Sequence, residues 1–270
     1  MDIRPDRGGG TVTAPYEVSS WARTPGTASP CGVNLLLMRD ADFAADGSVR
    51  LTGRRLEHVR SVLAPAPGQA LCVGRLHGLL GTARVLSISP RELVLEAPDL
   101  TDQPPPRAGV DLLLALPRPK ALKKVLPAVA SLGVDRVILL NAARVEKSYF
   151  DAKVLAPDVL DELLALGLEQ ACDTVPPLVL VRERFRPFVE DECDQILAGA
   201  SLRLVAHPAA TAPCPTRDGA GRVALAIGPE GGWVPFELEL LATHGFSPIT
   251  LGPRVLRVET AVPTLIGALR

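Results

Sequence analysis

Two short stretches carry residue types that could do chemistry. One is Gly228-Pro229-Glu230-Gly231-Gly232, and the other is Gly252-Pro253-Arg254-Val255-Leu256-Arg257. Glycine has no Cβ, so backbone there can approach a ligand closely. Proline fixes φ and removes an N–H, so each stretch begins stiff. Glu230 is a carboxylate able to take a proton or orient a donor. Arg254 and Arg257 are guanidinium groups able to grip phosphate bidentately or to stabilise a developing oxyanion. Ile227, Leu251 and Leu256 could wall an apolar slot, in which a flat ring would be read by backbone N–H and C=O groups. The competing reading is two tight turns bearing surface charge. Neither stretch is a G-x-G-x-x-G or a Walker A sequence, so a dinucleotide or P-loop site is excluded on the residues themselves.

Basic residues form a second group. Lys120, Lys123 and Lys124 stand at i, i+3 and i+4, so a helix there would present them on one face, close behind Arg118. Arg144 and Lys147 follow the next apolar run and could extend the same surface. Such a cluster suits phosphate contact, although a merely solvated helix face reads the same way. His207, with Pro208 after it, could bond a ligand or a loop carbonyl. Tyr149 could stack on a base or simply pack.

Those loops need elements to hold them. Apolar runs at 112–116, 137–140, 178–181, 202–206, 223–227 and 248–251 read as strands. Helical patterns at 120–132, 159–172, 188–197, 236–244 and 259–269 alternate with them. Pro127 falls inside the first of these helices, and Pro263 in the opening turns of the last. This alternation predicts an α/β fold with a parallel sheet covered on both faces, whose strands are continuously apolar because both faces are buried. Ligands in such sheets lie beyond the carboxyl ends of the strands, where both glycine-proline stretches would emerge.

Upstream the pattern differs. Residues 1–31 are rich in Gly, Pro, Ser and Thr and read as a disordered extension. Residues 32–98 hold an apolar run from Val33, a helical pattern at 55–63 and short strand candidates at 70–73, 79–88 and 92–96, which suggest a small β-barrel. Residues 99–109, with three consecutive prolines, read as a stiff linker to a second unit at 110–270.

Bulk composition narrows the class. The chain has 270 residues, of which 47% are apolar and only 4% aromatic, so a large core must be built from Leu, Val and Ala. The formal net charge of −1 gives no global field for nucleic acid, which leaves a local patch as the route to such a partner. Five scattered cysteines without a CxxC pair argue against a disulfide framework or a structural zinc site, and are expected to be thiols in a reducing cytosol. The four histidines show no HxxxH spacing, and no metal site is expected. No apolar run reaches the roughly 18–20 residues of a membrane span, and no signal peptide is apparent. A soluble, cytoplasmic protein is expected.

Residues 227–233 together with 251–261 resemble the C-terminal signature of the SPOUT superfamily of methyltransferases. More narrowly, they resemble the bacterial 16S rRNA (uracil-N3) methyltransferase family, over about residues 33–270. The resemblance implies a PUA-like N-terminal barrel that helps to hold RNA and a C-terminal α/β domain with a trefoil knot. It also implies S-adenosylmethionine as cofactor, rRNA of the small ribosomal subunit as partner, and a homodimer. Carried onto this chain, it places Leu204, Val205, His207 and Pro208, then Ile227, Gly228, Pro229, Gly231 and Gly232, then Leu251, Gly252, Pro253, Val255, Leu256 and Arg257 at the cofactor. Arg254, Arg257 and Glu230 become the catalytic candidates, with Glu259 and Thr260 near the reacting centre. Arg118, Lys120, Lys123, Lys124, Arg144 and Lys147 become the RNA contacts. The chain departs from the family at 128–133, which lacks a Lys and a Glu, and at 172–176, which lacks an Arg. Those departures keep two alternatives open: methylation of another RNA, and an RNA-binding protein that retains the fold without catalysis.

Overall fold

The computed structural model describes residues 35–216 and 221–269. The extension expected over 1–31 lies outside them, as do the first residues of the apolar run beginning at Val33.

The C-terminal sheet is built from β7 (Val110–Ala115), β8 (Arg136–Leu140), β9 (Leu178–Arg182), β10 (Ala200–Ala206), β11 (Arg222–Ile227) and β12 (Ser247–Ile249), in spatial order β12-β10-β11-β7-β8-β9. Every pairing in it is parallel. All six residues of β7 are buried, as are the last five of β11, which is why these strands read as unbroken apolar runs. Helices α2 (Pro119–Ser131), α3 (Pro157–Ala171), α6 (Pro235–Thr243) and α7 (Val258–Ala268) connect and cover the strands. Between β9 and β10 the predicted helix begins earlier than expected. It comprises α4 (Phe185–Pro187), a π-turn at Phe188–Glu192 and α5 (Cys193–Ile196). The α/β architecture and parallel sheet are as predicted.

Helix α2 buries Ala121, Leu122, Val125, Leu126, Val129 and Ala130 along one face and leaves Lys120, Lys123 and Lys124 exposed on another. It lies unusually close to α3 because Gly167 has no side chain. A Cβ there would stand 2.1 Å from the Pro127 carbonyl oxygen and 2.8 Å from the Ala130 Cβ. Helix propensity favours alanine over glycine by about 1 kcal/mol. The clash with backbone outweighs that, so Gly167→Ala should destabilise the fold by about 1–3 kcal/mol. A urea midpoint equal to or above that of the parent would refute this.

The N-terminal strands are β1 (Leu36–Met38), β2 (Val49–Leu51), β3 (Ala70–Arg75), β4 (Leu80–Ile88), β5 (Leu93–Leu95) and β6 (Asp99–Asp102). They are ordered β1-β3-β4-β5-β2, with β6 on β4. Helix α1 (Gly53–His58) continues into a π-turn at Val59–Leu63 and supplies Leu56 and Val59 to a core with Met38, Val73, Val85 and Leu93. Two expectations are corrected here. The segment read as linker starts with a strand, because β6 joins the sheet through backbone although its sequence, Asp-Leu-Thr-Asp, has no apolar alternation. Cys72 on β3 is disulfide-bonded rather than a thiol, whereas Cys193 and Cys214 are free. Proximity in space decides pairing, and the spacing of cysteines along the chain does not report it.

This sheet docks on the end of α3 and the segment after it. Leu35 N–H donates to Glu169 O at 3.0 Å, and His77 N–H to Thr174 O at 2.8 Å. Arg54 bridges to Glu162 at 2.8 Å and to Glu169 at 3.0 Å. The segment that departs from the family pattern at 172–176 therefore works here as a joint between the two sheets. Among the described residues, no helix is long and apolar enough to cross a membrane.

Candidate active site

The register of the sheet brings its functional loops to one edge. Ala206 pairs with both Ile227 and Ile249, Ile227 with Leu114, and Ala115 with Leu140. The loops after β7, β8, β10, β11 and β12 therefore all leave from the same side of the sheet.

The loop after β11 turns tightly. Gly232 has φ +73°, a region that favours glycine, and its N–H donates to Pro229 O at 2.8 Å. The Trp233 indole folds back beneath Gly228, so a Cβ on Gly228 would sit 3.1 Å from the ring nitrogen. The same ring packs against Phe185 with centroids 5.7 Å apart. Its Nε1–H is buried and has no hydrogen-bond partner among the described residues. The loop after β12 is held at its start by Thr250, whose N–H donates to Ala212 O at 2.9 Å and whose hydroxyl accepts from Gly252 N–H at 3.2 Å. Gly252 has φ +101° and open space where a Cβ would stand. At the loop's end the Arg257 carbonyl accepts the Thr260 and Ala261 N–H groups, at 2.9 and 2.8 Å, opening α7. The loop after β10 is pinned by His207, whose N–H donates to Ile249 O at 2.9 Å and whose Nδ1 accepts from Ala209 N–H at 3.3 Å.

Between these loops lies a cleft of about 500 Å³. Its lining holds His207, Ile227, the whole of Gly228–Gly232 with Glu230, Leu251, Gly252, Val255 and Leu256, together with Arg254 and Arg257, both exposed to solvent. All the residues expected at the cofactor line it except Leu204, Val205 and Pro253. Leu204 and Val205 are buried in β10, and the cleft begins at Ala206. Among the expected RNA contacts, Arg118 alone lines the cleft. It donates to Glu230 from both backbone N and Nε, each at 3.2 Å, and so fixes where that carboxylate points. Lys120, Lys123 and Lys124 are exposed on α2, and Lys124 reaches Glu259 at 3.8 Å. Lys147 is exposed in the segment after β8 and does not line the cleft. Arg144 is exposed as well, but its guanidinium donates to Gly231 O. Tyr149 stands near this corner, where partial desolvation and a hydrogen bond to Glu146, with Glu230 nearby, push its phenol upward.

Sequence reasoning missed three contributors. Trp233 directly follows the glycine pair but carries no motif of its own, and Thr250 is a small polar residue without a motif. Glu237 has capping-box spacing but follows Val234, which has no side-chain acceptor for a cap, so no helix-start signal marked it.

The family model described as RNA methyltransferase domain matches residues 104–270. Ribosomal RNA small subunit methyltransferase E of Treponema pallidum (strain Nichols) is 29% identical over 212 residues, covering 77% of this chain and 79% of that protein. The crystal structure of a ribosomal RNA small subunit methyltransferase E from Neisseria gonorrhoeae bound to S-adenosyl methionine superposes with a TM-score of 0.69. It is 21% identical, with 88% of this chain and 96% of that one covered. The structure of the "putative methyltransferase" from Legionella pneumophila in complex with the bound cofactor SAM gives a TM-score of 0.68 at 24% identity, covering 87% and 96%. These two structures share the fold. With more than half of its length matched by the family model, the chain belongs to the RNA methyltransferase domain family.

Proposed function

We propose that this chain methylates N3 of a uridine in 16S rRNA, using S-adenosylmethionine. The observation that carries the reading is the convergence of both glycine-proline loops, with His207, on one cleft at the carboxyl edge of a parallel sheet. The residues fit such a ligand. The volume is in the range of nucleotide-sized sites, the walls are apolar, and backbone N–H and C=O groups line the glycine loops. A buried indole N–H at Trp233 has no protein partner on that wall. When bound, S-adenosylmethionine supplies a methyl group on a sulfonium, already a good leaving group.

The protein's own task is then positioning and charge. Arg118 orients Glu230 on the cleft lining, where the carboxylate can receive the N3 proton or hold the base. Arg254 and Arg257 line the same cleft, able to stabilise the imide anion that develops on the uracil oxygens. We read the N-terminal strands β1–β6, with the sequence boundary of 32–98 extended to Asp102 by β6, as the PUA-like unit that holds RNA, and 110–270 as the methyltransferase domain, with the loop at 251–257 threaded as the trefoil knot. A homodimer is part of the same reading. Val255, 83% exposed at the loop tip, and Phe236, 49% exposed, are apolar side chains that a second copy would cover. An rRNA substrate places the enzyme in the cytoplasm.

The test uses purified protein, labelled S-adenosylmethionine and small-subunit rRNA lacking the modification, with the product nucleoside identified by mass. The expected product is 3-methyluridine. No cofactor binding at millimolar concentration would sink the enzyme reading, and label recovered on another nucleoside or only on tRNA would sink the substrate reading.

A further inference from the structure

We infer that Glu237 is a positioning residue for the Gly228–Gly232 loop, acting through Val234 and through Arg144, and that Arg144 braces this loop instead of contacting RNA. The inference rests on the reading of the cleft as the S-adenosylmethionine site. Glu237 lies on the first turn of α6 and is 3% exposed. A buried carboxylate is tolerated only where its oxygens are satisfied. Here two backbone N–H groups from separate elements satisfy them. Ala143 donates to Oε1 at 2.7 Å, and Val234 donates to Oε2 at 2.9 Å. Ala143 belongs to the loop after β8, and Val234 ends the loop after β11. One carboxylate thus staples two neighbouring loops together, 94 residues apart in sequence at its longer reach.

The stapled loop delivers Arg144. Asn141 fixes the loop's start, its Oδ1 accepting from Ala142 N–H at 2.9 Å and its Nδ2 donating to Glu183 O at 3.0 Å. The Arg144 stem then lies across Gly231. A Cβ on that glycine would stand 3.1–3.2 Å from Arg144 carbons. The guanidinium donates to Gly231 O. Neither Glu237 nor Arg144 lines the cleft, so both act on a ligand only through the position of the loop.

The experiment titrates the full chain with S-adenosylmethionine in a calorimeter, alongside thermal midpoints, RNA affinity against salt concentration, and amide hydrogen exchange at 228–234. Glu237→Gln replaces one acceptor by an NH2 that faces a donor, so one staple is lost. It should weaken cofactor binding about tenfold, the scale of one charge-assisted hydrogen bond. Arg144→Ala should weaken it by about threefold, because its bond is exposed, and Arg144→Lys should recover part of that loss through the stem. Exchange at 228–234 should quicken in both Glu237→Gln and Arg144→Ala, while RNA affinity and its salt slope stay unchanged. A merely structural Glu237 would lower the thermal midpoint and leave cofactor affinity within twofold, which overturns the inference. So does a reduced salt slope in Arg144→Ala, which would make it a phosphate contact. If the parent protein binds no S-adenosylmethionine, the cofactor reading fails by itself. The brace is then decided by exchange at 228–234, and unchanged rates in Glu237→Gln overturn it.

Discussion

Asp111→Ala should destabilise the protein by about 3–5 kcal/mol, the usual cost of removing one partner from a buried ion network. Asp111 lies on β7 and is fully buried. Its Oδ1 accepts from Arg136 Nε at 2.8 Å and from Arg222 Nη2 at 2.7 Å, and its Oδ2 accepts from Arg136 Nη2 at 3.0 Å. Arg222 also reaches Asp135 at 3.0 Å, and Arg136 donates to the Ile196 carbonyl. The two guanidinium groups are partly exposed, with 24% and 33% of their side-chain surface open. Solvent will therefore ease part of the loss, which places the effect toward the lower end of that range. Asp111→Asn keeps the shape but offers one acceptor oxygen where three donors converge, so it should lose roughly half as much. The network sits at the end of the sheet opposite the cleft, since β7 runs from Val110 toward the loop that carries Arg118. Variants still folded at low temperature should retain their affinity for cofactor. Chemical denaturation with a drop below about 1 kcal/mol would show that the network contributes little beyond local shape.

The split between what the sequence disclosed and what it concealed has a physical cause. Strands β7, β8 and β11 were legible because burial on both faces demands continuous apolar residues. Strand β6 was not, because it is held by the backbone of β4 and its one apolar residue, Leu100, gives no alternation, with Asp99 and Thr101 exposed and Asp102 only half-buried. The two cleft loops were legible because glycine and proline restrict backbone in ways that composition displays. Their supports were not. Arg118 and Glu230 are 112 residues apart, and Arg144 and Gly231 are 87 apart, so no local spacing marks either pair. A basic residue in a sequence announces its charge, not its partner. That is why Arg144 read as an RNA contact although the fold directs it to a carbonyl. The family resemblance placed Leu204 and Val205 at the cofactor, but both are buried within β10, which ends at Ala206 as expected and opens on the cleft only there.

The largest effect on chemistry is expected at Arg254. If N3 of uracil must lose its proton as the methyl group arrives, negative charge builds on the flanking carbonyl oxygens. A guanidinium that meets this charge acts more strongly in the transition state than in the ground state. Arg254 lines the cleft with its side chain exposed, on a stretch stiffened by Pro253, and makes no ion pair among the described residues. Arg254→Ala should therefore lower kcat by about 10²–10³, as removal of an oxyanion donor does. The KM for S-adenosylmethionine should change little, because the apolar walls and backbone of the cleft are untouched. Arg254→Lys keeps the charge without the planar fork and should recover only part of the rate. Charge stabilisation also predicts a pH signature. Without the arginine the N3 proton is harder to remove, so the variant's rate should go on rising at alkaline pH where the parent has levelled off. Arg257→Ala, assayed beside it, separates the roles. A rise in the KM for RNA with little loss of kcat would make Arg257 a phosphate contact, whereas a matching fall in kcat with the same alkaline shift would make the two arginines one oxyanion site. If both alanine variants keep kcat within threefold of the parent, the imide anion is stabilised by other groups and the assignment of these arginines to the reacting centre is wrong.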